Sequence, residues 1–324
     1  MSLKAHCIPR TSVFDRGRRD VVLNLGDLLD GRLDEAAGER FFEENYVTGG
    51  MKTLVEKSFD RLLGRRDQAA TFLLSQAMGG GKTHSMLALG LLARFPKLRG
   101  RFGGDLGSNR IRVIGFDGRE SNYPYGIWGA LAEGLGKKEV FSDLYSPLKA
   151  PGVSSWIHLL KGEPTLILLD EIPPYLNNAL SNQVGASNLA EVTGTALANL
   201  FVAVNKQELE NVVVVISDLS GSAYAKGSAY INEAVDNLAQ ETNRGAVRIE
   251  PVATVGDEVY HILRTRLFEK LPDASVRDGV AVEYAEAVRK AKAMDLTADN
   301  PDSFAAQLRD SYPFHFSLRD LYGR

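Results

Sequence analysis

In "QAMGGGKTH" (Gln76–His84) a glycine run is followed at once by a lysine and a threonine, and that spacing has a chemical use. Glycine opens backbone dihedrals closed to other residues, so several N–H groups can converge on one anion. Lys82 then reaches the outer phosphates of a nucleoside triphosphate, and the Thr83 hydroxyl ligates Mg²⁺. The nest runs Met78, Gly79, Gly80, Gly81, Lys82, Thr83, with His84 beside it in the first helical turn. The usual spacing G-x-x-x-x-G-K-[ST] would start with a glycine at position 76, where this chain has Gln76.

A second motif is acidic. "PTLILLDEIPPYL" (Pro164–Leu176) reads as an apolar strand ending in Asp170-Glu171. Alone, such a pair is equally an ordinary strand-end charge. Downstream of a phosphate loop, Asp170 is expected to hold Mg²⁺ and Glu171 to accept a proton from the attacking water. Polar Ser217 and Asp218 close the strand of "NVVVVISDLSGSAY"; either positions the lytic water, or both serve as cap and turn residues. Arg244, ahead of a last strand, is placed to reach the nucleotide of a neighbouring copy, although surface arginines are common. Arg264 and Arg266 are read as a solvated helix face, and His158, His261 and His315 as structural. With one cysteine, Cys7, and no histidine cluster, no zinc site is expected.

These residues need a scaffold. Four apolar runs, Ala70–Ser75, Ile111–Phe116, Thr165–Leu169 and Val212–Ile216, have the length and composition of buried strands, and Ala246–Val252 is a fifth candidate. Helical patterns separate them: residues 51–63, Thr83–Arg94, Tyr125–Leu135 and Ser187–Asn205. The alternation predicts an α/β fold with a parallel sheet sandwiched by helices. Gly256–Leu271, Val282–Met294 and Phe304–Asp310 are read as helices with no strand between them. The expected domains are an N-terminal extension (1–40) with a strand-like run Val21–Leu25, an ATPase core (41–253) and a helical lid (254–324). At 324 residues and 44% hydrophobic the chain can bury a large core, and its net charge of −3 offers no global field for nucleic acid. The single cysteine and the lack of an apolar leader or span point to a soluble, cytoplasmic protein without a disulfide framework or membrane partner.

The stretches "FFEENYVTGGMKTLVEKSFDRLLG", "GGGKTHSMLALGLLA", "LLDEIPPYL", "ILRTRLFE" and "YPFH" resemble bacterial AAA+-type P-loop ATPases known as domain of unknown function 499, over Phe41–Phe316. The resemblance implies a P-loop NTPase (AAA+/RecA-like) fold whose Walker A is "GGGKTH" and whose Walker B is "LLDE". It implies ATP and Mg²⁺ as ligands, homo-oligomers, and adenine held near Tyr46, Val47 and Thr48. It also implies a gene setting beside DNA methylases in anti-phage defence, hence DNA or a DNA-modifying enzyme as partner. Family members are usually longer, so a truncated or fragmentary chain with a partial lid is expected, its sensor arginine absent and Arg319 a weak stand-in. The function expected is ATP hydrolysis driving a conformational or oligomeric change. The alternative is an ATP-dependent switch or scaffold with negligible turnover. A P-loop small-molecule kinase fits less well, because the Asp-Glu pair suits water activation.

Overall fold

The computed structural model describes residues 6–14, 24–65, 69–76, 79–103, 105–119, 123–219, 224–242, 245–253 and 257–318. The chain forms two compact units. One comprises Leu23–Arg40 and Thr48–Val252, the other Met1–Val22, Phe41–Val47 and Ala253–Arg324. Residues 1–40, expected as one extension, are thus divided between the two.

The larger unit is built on a five-stranded parallel sheet of β1 (Thr71–Ser75), β2 (Arg112–Asp117), β3 (Thr165–Asp170), β4 (Val212–Asp218) and β5 (Val247–Ile249), in the order β2-β3-β4-β1-β5. β3 and β4 are buried along their whole lengths, which explains why their sequences run apolar without alternation. Alternate side chains serve opposite faces. Ile167 and Leu169 join a core with Trp128, Trp156, Leu200 and Phe201. Leu168 lies on the other face, where Gly90 approaches it so closely that a Cβ there would be 3.2 Å from its methyl.

The helices are α1 (Leu25–Leu29), α2 (Glu35–Glu44), α3 (Gly49–Leu62), α4 (Lys82–Arg94), α5 (Gly126–Gly134), α6 (Val153–Leu160), α7 (Ile172–Ala179), α8 (Leu189–Val204) and α9 (Ala225–Thr242). α1, α3 and α4 pack on one face of the sheet, α5, α7 and α8 on the other. Two sequence expectations are corrected here. Leu25, expected to end a strand, opens α1, because Asn24 and Asp27 form a capping box; the preceding Val21–Leu23 lie outside the described residues. The helix expected from Ser187 starts at Leu189, since Ser187–Asn188 pairs antiparallel with Gln183–Val184.

The second unit holds α10 (Glu258–Leu267), α11 (Ala274–Ala293) and α12 (Pro301–Ser311). It also holds a strand where none was expected: Phe268–Lys270 pairs antiparallel with Ile8–Pro9, so a distant partner ends the helical pattern four residues early. Cys7 is 2% exposed, next to the Tyr312 hydroxyl. Arg264 is not a solvated residue. It is 7% exposed, donating from Nε to the Tyr312 carbonyl at 2.7 Å and from a terminal nitrogen to the Asp310 carbonyl. It thereby serves the C-terminal end of α12, where unpaired carbonyls need donors. The Tyr260 hydroxyl donates to the Phe316 carbonyl at 2.5 Å, and Arg266 reaches Asn45. No helix among the described residues is long and apolar enough to cross a membrane.

Candidate functional site

The register of the sheet brings the polar strand ends to one edge. Asp117 pairs with Asp170, Leu74 with Ser217 and Ser75 with Asp218, so the ends of β2, β3, β4 and β1 converge where open α/β sheets bind ligands. The glycine-rich turn leaves β1 there. Gly79 (φ 78°) and Gly81 (φ 80°) occupy left-handed backbone that side chains disfavour. Gly81 is the N-cap of α4, and no side chain caps that helix end. A Cβ on Gly80 would come within 2.6–2.9 Å of the Gln76 side chain. Lys82 is 8% exposed and donates to the Gln76 carbonyl at 2.6 Å. Burial pushes its pKa down, while Asp170, Glu171 and Asp218 oppose the shift. An anion arriving at this ammonium would favour its charged form.

Asp170 is 2% exposed and works with both oxygens. One accepts from the Thr83 hydroxyl at 2.5 Å, the other from the Glu171 N–H at 3.0 Å. That N–H also points at the Ser217 hydroxyl, 3.1 Å away. Glu171 has φ 51° and ψ 34°; among the described residues only Asp295 shares a positive φ outside glycine. An L-residue persists there when its surroundings over-determine it, and these two acceptors do so. The Glu171 carboxylate lies 2.9 Å from Nε of Arg119. Arg119 in turn donates its N–H to Asp117 and has its guanidinium 5.8 Å from the Tyr224 ring. Asp218 is 4% exposed and accepts the Leu219 N–H.

A third strand of chain closes the turn's other side. The Gln76 side-chain amide donates to the Val252 carbonyl at 2.8 Å and accepts the Val252 N–H at 3.1 Å. Pro251 and Val252 in turn lie 3.8 and 3.4 Å from where a Gly81 Cβ would sit. Thr48 N-caps α3 and donates its hydroxyl to the Pro251 carbonyl. A Cβ on Gly50 would be 2.0 Å from the Glu250 carbonyl oxygen, which explains the glycine.

The structure therefore gathers Gly79–Thr83, Asp170, Glu171, Ser217 and Asp218, and places Thr48 against the same wall. Tyr46 and Val47 belong to the other unit, where Tyr46 stacks on His261 (5.0 Å, 14°). His84 is half-buried in the first turn of α4. Met78, Arg244 and Arg319 lie outside the described residues. Asp117, Arg119 and the Gln76–Val252 pair escaped the sequence reading. Only Asp117 left a signal there, as a carboxylate at the end of an apolar strand.

The site thus sets one buried lysine, Lys82, beside a threonine hydroxyl that faces the buried Asp170 carboxylate. The buried carboxylates of Asp117, Asp170 and Asp218 outnumber that lysine. Fold and site define an α/β chain with a glycine-rich turn and acidic strand ends on one edge of a parallel sheet. A family model described as the DUF499 N-terminal domain matches residues 1–98 and 119–249, and the chain belongs to that family. No curated protein matches the chain.

Proposed function

We propose that this chain is an AAA+-type P-loop ATPase that binds ATP with Mg²⁺ and hydrolyses it to drive a conformational or oligomeric change. The observation that carries this reading is the Thr83 hydroxyl set on the Asp170 carboxylate beside buried Lys82. In this reading the Gly79–Gly81 backbone and Lys82 hold the phosphates, while Thr83 and Asp170 hold Mg²⁺. The metal supplies charge neutralisation at the phosphates. Glu171 takes the proton of the attacking water, and Ser217 keeps the Glu171 backbone in place. Arg244 is proposed, from its place in the sequence, to serve a neighbouring copy.

Lys82→Ala should weaken ATP binding at least tenfold, because it deletes the charge the loop itself contributes. Glu171→Gln should retain ATP while phosphate release falls by about 10²-fold or more. Wild-type affinity in a folded Lys82→Ala protein would overturn the assignment of the loop. If Arg244 acts across copies, mixing inactive Arg244→Ala with inactive Glu171→Gln should restore hydrolysis, since some interfaces then combine an intact base with an intact arginine. No recovery across a range of protein concentrations removes that role.

One observation favours the second reading, a switch with negligible turnover: Arg119 already engages the Glu171 carboxylate. Tight ATP binding with phosphate release no faster than in Glu171→Gln would establish the switch in place of the motor.

A further inference from the structure

Main-chain pairing between β1 and β5 runs from Phe72↔Val247 to Leu74↔Ile249. Among the described residues the backbones pair no further, yet Gln76 and Val252 exchange two hydrogen bonds across a sequence separation of 176. A primary amide presents one carbonyl and one N–H₂ in a plane, as a peptide group does, so the Gln76 side chain stands in for a further residue of the ladder. Its stem covers Gly80, and its own carbonyl takes the Lys82 ammonium.

We propose that Gln76, at the place where phosphate loops usually start with glycine, is a positioning residue that preforms this loop by latching Pro251–Val252 along it. The inference rests on the ATP reading and names the device that readies the same site. A glycine at 76 supplies neither bond to Val252, and the turn then has to be ordered by the ligand at the ligand's expense. Restoring the common motif should therefore harm this protein. Glutamate loses the donor and adds an anion near the phosphates; methionine keeps the volume and loses both bonds.

The test compares Gln76→Gly, Gln76→Met and Lys82→Ala, each checked for folding by circular dichroism, with a fluorescent ATP analogue as probe. Gln76→Gly and Gln76→Met should each weaken binding about tenfold, in line with the loss of two ordinary hydrogen bonds. In turnover that loss should appear in KM with kcat within about twofold, because Gln76 touches no reacting atom. Independently of nucleotide, amide exchange of the segment around Val252 should quicken in Gln76→Met. Wild-type exchange there would overturn the latch. Unchanged affinity in both Gln76 variants, with affinity lost in Lys82→Ala, would overturn the positioning role and leave the ATP reading intact. Unchanged affinity in Lys82→Ala would instead remove the ATP reading.

Discussion

Glu171 is held twice, by its backbone through Asp170 and Ser217 and by its carboxylate through Arg119. The two restraints differ in kind. The first fixes a left-handed backbone, whereas the second is a half-exposed ion pair worth about 0.2–1 kcal/mol. Arg119→Ala should therefore release the carboxylate and raise basal phosphate release about two- to fivefold if Glu171 is the base. A fall to the Glu171→Gln level would mean that Arg119 contacts the reacting phosphate instead. Lys82, Thr83, Asp170 and Glu171 were legible because their chemistry is written in local spacing. Arg119 was not, since its partner follows the neighbouring strand β3 and the sheet alone brings them together. The Gln76 latch was hidden for the same reason, and the sequence showed only a missing glycine.

Among the elements, long apolar runs gave away the strands, because a strand buried on both faces confines its polar residues to its ends. Short elements were harder. Phe268–Lys270 is a strand through its pairing with Ile8–Pro9, not through its own preferences, and tertiary context overrode the helical pattern. α3 shows what local reading cannot see: its first turn is pressed on Glu250–Pro251. Gly50→Ala should cost about 2–3 kcal/mol, because the clash is with backbone that cannot step aside. Thr48→Ala removes a cap and should cost about 1 kcal/mol. Gly100→Ala is the control, with nothing within 4 Å of the added methyl and no change expected in Tm. Equal melting temperatures for Gly50→Ala and Gly100→Ala would contradict the close approach.

The molecule as a whole divides into two units whose segments interleave along the chain. In the second unit, Arg264 donates to the carbonyls of Tyr312 and Asp310, joining α10 to the C-terminal end of α12. Arg264→Ala should destabilise that unit by about 2–3 kcal/mol, since buried carbonyls lose a charged donor. Limited proteolysis should then cut first within residues 257–318, while the sheet of the larger unit persists. Cleavage first within the sheet would place the weaker unit elsewhere. Cys7 supplies a chemical clock for the same unit. The sequence has no other thiol, and this one is 2% exposed. A thiol-reactive dye added to the native protein should therefore react faster as the unit around Cys7 opens. Its labelling rate times the opening in the wild-type chain, with no engineered residue and no knowledge of the ligand.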